Sequence, residues 1–451
     1  MSFAPLVLRW RLAPDISLVP LQATDLGLTL ADGTAVTLTP GHAGLRDALL
    51  ALSEGVDEAR LTAVAGEKTA ELYYYLARMV RRGVLEASAD LDGSPAVRLL
   101  PRNVQFELPT PSDVPPSVTL DRFAYLRRGE RGATLQHPDV ACDLLVVHPV
   151  AADLIGRLAA GALDVAALAD PLGRALTSLL MALGFADDAA VVEGAARRVW
   201  EFHDRLFQRA TRSYDDLVPR GATYRFDGKL VPPPAIRPAY PGASIALPQP
   251  PGLSFVRSGS LSEVMEGRRS MRTMSDTPIG LDAVGALLHR VGRVKEVLPQ
   301  DGLRRPYPSA GAIHELEFYL AVRACDGLAP GFYHYRGQEH VLTRIADAEA
   351  AAAAMLDDCA TAWDQPGQPP QVLVVITSRL PRLAWKYAGI AYRVSLMNAG
   401  VVLQSLYLVA SDLGLAGSAA GSGDPELFAR ATGVSSWEET SIAEFGFGRP
   451  A

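Results

Sequence analysis

The chain has 451 residues, more than one hydrophobic core usually organises, so two or more domains are expected. A composition of 49% hydrophobic, 21% charged and 7% aromatic residues supplies ample core and excludes a disordered chain. The formal net charge of -7 excludes general affinity for nucleic-acid phosphates, which needs a basic surface.

Cys142, Cys325 and Cys359 stand far apart and form no CxxC pair. Neither a zinc site nor a disulfide framework is therefore expected, no metal is predicted, and a reducing cytoplasm fits. Arg9 and Arg11 break the first apolar stretch before it can form a signal-peptide core. No later run approaches ~20 apolar residues, so no membrane span is expected.

Two stretches of the N-terminal half share an order of elements. In the first, alternating segments at Ile16 to Leu21, Gly27 to Leu30 and Ala35 to Leu38 predict strands, and LRDALLALSEG and ELYYYLARMVRRGVLE predict helices. In the second, VTLDRFAYLRR and LLVVHP lead to the helical AADLIGRLAAG and LTSLLMALGFAD. Leu72, Leu76, Met79 and Val80 recur at helical spacing and Gly83 follows as a stop. Each stretch has the pattern of a small winged helix. Such a pair can shield or dimerise a larger domain, or it can recruit a peptide. Reading DNA would need a basic helix, and Arg78, Arg81 and Arg82 have no counterpart in the second copy.

The segment WEFHDRLFQRATRSYDDL predicts a helix that packs on a neighbouring domain, and its His203 has no second ligand at metal spacing. PPPAIRPAYPGASIALPQPP, from Pro232 to Pro251, then favours extended structure over helix and marks a boundary. The expected organisation is one winged-helix-like domain over 1–105, a second over 106–195, a helix and linker over 196–251, and a C-terminal domain over 252–451.

Three clusters of the C-terminal domain carry chemistry. In the first, Arg268, Arg269 and Arg272 surround Ser270, a set whose guanidinium forks and hydroxyl suit a phosphate monoester. Taken alone, it is also what a solvated basic face looks like. The second is a proline-restricted turn of small residues, Pro308, Ser309, Ala310 and Gly311, before the strand pattern LEFYLAV. Exposed backbone in such a turn can hydrogen-bond the polar edge of a flat ring, although an ordinary loop before a strand has the same form. The third follows QVLVVITSRL and reads WKYAGIAYRVSLMNAGVVLQSLYLVASDLGLAGSAAGSGD. Ile390, Val394, Met397 and Val401 predict the core stripe of a long helix ending near Gly414. The small-residue run Ala416 to Gly423 then offers backbone donors or a flexible loop.

In the order and spacing of these clusters, the chain resembles the SagB-type (McbC-like) dehydrogenases of the nitroreductase superfamily. The family's motifs run like RRSxR, PSGGARHPLEFY, a Lys-Tyr pair before a long helix, and LGLGS with small residues. The resemblance extends to WEFHDRLF and the proline-rich segment, and more loosely to the N-terminal units. It implies an α+β protein in which two small winged-helix-like (PqqD-like) domains precede a nitroreductase-like domain binding flavin mononucleotide (FMN). Cofactor contacts would come from Arg268, Ser270 and Arg272, from the Pro308, Ser309, Ala310 and Gly311 turn, and from backbone around Gly421 and Ser422, with Arg449 a further phosphate contact. The implied activity is oxidation of thiazoline or oxazoline rings in a peptide to azoles, in a homodimer and beside a cyclodehydratase partner. Molecular oxygen would be the acceptor, because no nicotinamide-binding glycine fingerprint follows a strand.

The sequence departs from the family pattern where Ala310 replaces a glycine, Ile313 an arginine and Glu315 a proline, and Asn398 stands where glutamate is common. Lys386 and Tyr387 match the pair implied in catalysis. Aromatising an azoline removes the proton alpha to the peptide carbonyl and passes hydride from the adjacent ring carbon to flavin N5, so a base is needed there. Lysine and tyrosine ordinarily titrate near ~10, so burial or a neighbouring cation must assist. Adjacent residues of a regular helix point about 100° apart, so both reach one substrate only if the segment is irregular, and the helix entrance is the expected place. Two rivals remain: a nicotinamide-dependent nitro or quinone reductase, and a non-catalytic peptide-recruiting partner of a biosynthetic complex.

Overall fold

The computed structural model describes residues 7–91, 94–103, 106–107, 109, 113–168, 171–212, 220–249, 260–421 and 423–451. The chain divides into two compact units, Met1–Pro219 and Arg220–Ala451.

In the first unit, strands Ser17–Pro20, Leu26–Thr29 and Ala35–Leu38 form an antiparallel sheet close to the expected positions. Helix Thr69–Arg81 buries Leu72, Leu76, Met79 and Val80, the predicted face. It ends before Gly83, whose φ of +64° only glycine adopts freely, and the chain turns back as strand Leu85–Leu91 rather than continuing as helix. That strand joins a six-stranded sheet that also takes in Ser94–Pro101 and, from the second stretch, Cys142–Val146, Gly132–Gln136 and Tyr125–Gly129. The two stretches therefore share one sheet and one core, in which Leu76, Val97, Leu144 and Leu154 belong to a single cluster. Helix Phe202–Ala210 packs within this unit: the Phe202 ring lies 5.7 Å from Tyr125, and Arg209 meets Asp139 at 3.0 Å.

The second unit is built on a seven-stranded antiparallel sheet. Its order runs Ser244–Ala246, Val341–Ile345, Gly331–Arg336, Leu316–Val322, Val372–Ser378, Thr440–Gly448, Ala416–Ala420. All seven residues of Leu316–Val322 are buried, so LEFYLAV is a central strand covered on both faces. Side-chain alternation divides it: Leu316, Phe318 and Leu320 pack with Val284, Leu287, Val402 and Leu406 of helices Leu281–Gly292 and Ala391–Asp412. Tyr319 and Ala321 pack with Met355, Leu356 and Phe428 of helices Glu349–Ala362 and Pro425–Thr432 on the other face. Each such buried Leu or Phe contributes roughly 1.5–3 kcal/mol by leaving water.

Two features differ from expectation. Residues 220–249 belong to this unit, since Ser244–Ala246 is an edge strand of the large sheet and Gly221–Ala222 pairs with Tyr387–Ala388. The long helix ends before Gly414 as expected, but Met397 and Val401 are exposed, and the buried face is Ser395, Asn398, Ala399, Val402, Leu406 and Ala410. Both faces of this helix are apolar, so spacing alone selected the wrong one. By length and composition it could also cross a membrane, although its inner face packs as a core helix.

Candidate functional site

Lys386 is the last residue of the short helix Leu380–Lys386, and Tyr387, at φ -106° and ψ 130°, begins a two-residue strand. The pair thus lies four residues before the long helix, at a helix-to-strand junction rather than on a regular helix, and this change of backbone lets both side chains reach one point. That point is Gly311. A Cβ built there would lie 2.5 Å from Tyr387 Oη and 2.7 Å from Lys386 Nζ, and its φ of +58° suits glycine. Ala312 shares that left-handed backbone at φ +56°, whereas Ala310, where the family pattern has glycine, does not need it. Lys386 Nζ also stands 5.5 Å from the rings of Tyr224 and Tyr387.

The turn is fixed from behind. Ser309 Oγ accepts from His314 N at 3.1 Å and from Asn398 Nδ2 at 3.2 Å. Asn398 Nδ2 also donates to both Glu315 oxygens, at 3.0 and 3.1 Å. Two departures from the family pattern therefore meet: the carboxylate that the pattern carries on the helix stands here just before strand Leu316–Val322, with the amide opposite. Burial pushes the Glu315 carboxyl up, opposed by the Asn398 hydrogen bonds. At the position of the missing arginine, the Ile313 carbonyl accepts from Arg382 Nε at 3.0 Å. Arg382 also reaches Asp301 Oδ2 at 2.7 Å. Burial pushes His314 down to about 4, helped by Arg305 and Arg382.

A second half of the site lies at the other end of the long helix. Tyr407 Oη meets Ser270 Oγ at 3.1 Å and Ser418 Oγ at 3.4 Å, and accepts from Ala419 N at 2.8 Å. Arg268 lies over its ring at 5.2 Å. Burial raises the Tyr407 phenol, but these hydrogen bonds and the Arg268 charge outweigh it and bring the phenol below its ordinary value. The backbone of this arginine segment runs beside Ala416–Ala420 and the C-terminal strand, with Met271 N donating to Gly417 O at 3.0 Å and Ser275 N to Arg449 O at 2.9 Å. Arg268, Ser270, Arg272 and Arg449 are thereby brought to one region. Gly421 follows the strand and is exposed, and Ser422 lies outside the described residues. Ala416–Ala420 is an edge strand rather than a loop. Asn398 and Tyr407 are nine residues apart on one helix, so the two halves are separated by about 13 Å along its axis.

The donor set suits a phosphate: among the described residues, Arg268, Arg269 and Arg272 form no ion pair with a carboxylate, and Arg268 lies over the Tyr407 ring whose hydroxyl meets Ser270. At Gly311 the space a side chain would take is filled by Tyr387 Oη and Lys386 Nζ, so the turn presents bare backbone to this pair. The residues present therefore fit a group that carries a phosphate.

Next to Gly311 and Lys386 opens a cavity of about 460 Å³, also lined by Tyr224, Leu298 and Trp385. Sequence reasoning did not single out Tyr224, Arg382 or Tyr407. Arg382 was legible as the one charge amid LPRLAW, and Tyr407 as a hydroxyl in an apolar helix that must find a partner.

Comparison with known proteins gives two family matches: the nitroreductase family over residues 265–449, and cyanobactin oxidase ThcOx over residues 118–215. The "Putative nitroreductase MJ1384" of Methanocaldococcus jannaschii is 30% identical over 158 residues, which cover 34% of this chain and 75% of that one. The chain belongs to the nitroreductase family. The fold of its C-terminal unit is nitroreductase-like, and membership carries oxidoreductase chemistry and a flavin cofactor. The trifolitoxin-processing protein TfxB of Rhizobium leguminosarum bv. trifolii is 28% identical over 143 residues, 30% of this chain and 38% of that protein. Among solved structures, the E. coli microcin synthetase McbBCD complex with truncated pro-MccB17 matches with a TM-score of 0.36 at 18% identity, over 54% of this chain and 86% of that one.

Proposed function

We propose that the protein is an FMN-dependent dehydrogenase that oxidises thiazoline or oxazoline rings in a peptide to azoles. The observation that carries this reading is the convergence of Lys386 Nζ and Tyr387 Oη on the bare backbone of Gly311, beside a cavity of substrate size. The matches to a cyanobactin oxidase and a trifolitoxin-processing protein support a peptide substrate.

In this reading Arg268, Ser270 and Arg272 hold the phosphate, with Arg449 and the backbone near Gly421 and Ser422 adding to it, and the Pro308 to Gly311 turn holds the ring edge. The Lys386 and Tyr387 pair takes the proton alpha to the peptide carbonyl. When bound, a flavin would supply the acceptor for the hydride from the adjacent ring carbon and the route by which its two electrons reach molecular oxygen as hydrogen peroxide. The Asn398, Glu315 and Ser309 contacts keep the turn from shifting against the pair. The exposed Tyr392, Leu396, Met397 and Val401 support a homodimer through the long helix. The two N-terminal stretches, read as winged-helix-like, would recruit the peptide within a cytoplasmic assembly that includes a cyclodehydratase.

Family membership also favours a second reading, a nicotinamide-dependent nitro or quinone reductase. One experiment separates them: incubate the flavin-loaded protein in air with a defined azoline peptide, and separately with reduced nicotinamide and a quinone. The azoline reading expects loss of two mass units from the peptide; turnover of nicotinamide alone would replace it with the second.

A further inference from the structure

Residues 220–235 are fastened along the Lys386 and Tyr387 junction. Gly221 and Ala222 pair with Ala388 and Tyr387, and Tyr224 N donates to Lys386 O at 3.1 Å. Trp385 Nε1 donates to Leu230 O at 2.9 Å, Arg382 to Pro233 O at 2.7 Å, and Ala235 N to Asp301 Oδ1 at 2.9 Å. Tyr224 is held at φ +50°, a backbone that aromatic residues rarely adopt and that persists only where neighbours impose it. Its ring stands edge-on to Trp385, with centroids 5.9 Å apart. This strap and the end of strand Glu296–Leu298 wall the cavity of about 460 Å³ that opens at Gly311 and Lys386.

The chemistry of the walls selects an occupant. Arg382 and Asp301 neutralise one another, and Arg382 spends its remaining donors on the Ile313 and Pro233 carbonyls. Asp227, the other carboxylate at the cavity, is exposed. Lys386, which the azoline reading assigns to the reaction, is the remaining charge, and the rest of the wall is apolar, chiefly Tyr224, Pro232, Pro233, Leu298 and Trp385. Proline faces and aromatic rings offer flat surface with few donors, so a neutral polar side chain lying against them would lose water without gaining a partner. The volume exceeds that of one small side chain and lies in the range of pockets that recognise small ligands, about 300–1,000 Å³.

We propose that this cavity is a specificity pocket that takes an apolar, preferably aromatic, side chain of the residue adjacent to the ring being oxidised, a proposal that rests on the azoline reading. A glycine at that place leaves the apolar walls wet, and a serine hydroxyl held against them loses water without a partner.

The test uses the full flavin-loaded chain and three azoline peptides that differ only in the flanking residue, Phe, Gly or Ser. Two quantities are measured: kcat/KM from the loss of two mass units, and Kd by calorimetry for the three corresponding azole peptides, which requires no turnover. The Phe peptide should be favoured about 10-fold to 100-fold in both. In Leu298→Ala and in Trp385→Ala that ratio should fall towards one; Leu298→Ala keeps the test valid if loss of the Trp385 clamp unfolds the strap. Turnover with no preference among flanking residues, or a preference unchanged in folded Leu298→Ala, overturns the pocket. Discrimination in Kd without turnover of any azoline overturns the azoline reading and leaves the pocket in place. Absence of both overturns both.

Discussion

Replacing Gly311 by alanine should separate stability from turnover. The substitution places a Cβ 2.5 Å from Tyr387 Oη and 2.7 Å from Lys386 Nζ, about 1 Å inside ordinary contact. Both atoms are ends of flexible side chains, so they can swing away without dislodging the backbone. The left-handed conformation costs an alanine ~1–2 kcal/mol. Ala312 already tolerates φ +56° in the same turn, so the fold should survive. At about 2–4 °C per kcal/mol for a unit of this size, Tm should fall by only a few degrees. Turnover should suffer far more, because displacing the reacting groups by ~1 Å can cost on the order of 100-fold. Azoline oxidation, flavin content and thermal melting should be followed on one preparation. Turnover within twofold of wild type, accompanied by the expected small drop in Tm, would refute the idea that chemistry depends on the pair meeting at Gly311.

Three further outcomes are expected. Tyr407→Phe removes the hydroxyl that joins Ser270, Ser418 and Ala419 N, and should weaken FMN binding about 10-fold, as one lost hydrogen bond of ~1–1.5 kcal/mol implies; an unchanged Kd in a fluorescence titration removes Tyr407 from the phosphate site. Asn398→Leu leaves the buried Glu315 carboxylate without its amide and should cost ~1–3 kcal/mol, whereas Glu315→Gln with Asn398→Glu exchanges the partners and should recover part of it; fully additive losses in Tm would show that the two do not act together. Burial, reinforced by Asp358, raises Glu444 to about 7, above the ordinary carboxylate range. The folded state therefore binds this proton more tightly than the unfolded one. The resulting stability is fully present below the ordinary carboxylate value and is lost as pH rises through about 7. Glu444→Gln should accordingly flatten the stability profile across that window, an effect of at most about 3 kcal/mol, and an identical profile in the variant would contradict the assignment.

Much of the fold was legible where one face alone is apolar. Ala35–Leu38 and the buried face of Thr69–Arg81 follow from periodicity, because each has a wet side that fixes the phase. The long helix defeated the same argument, since Met397 and Val401 on its outer face are as apolar as Val402 and Leu406 within. The proline run reads as a linker from composition, yet tethers from Arg382, Trp385 and Asp301 make its beginning a pocket wall, and such tertiary hydrogen bonds have no local signature. Likewise Glu315 and Asn398 look like two separate losses in a linear motif; only the distance between them shows a single exchange.

The central claim is tested most directly by Lys386→Ala and Tyr387→Phe, assayed by the loss of two mass units from a defined azoline peptide with the flavin spectrum recorded for each protein. Neither residue belongs to the inferred phosphate contacts, so flavin should remain bound. Loss of a general base should slow oxidation by ~100-fold to ~10,000-fold, and the double variant should be little worse than the worse single one. Near-normal turnover in both variants at full flavin occupancy would contradict the account.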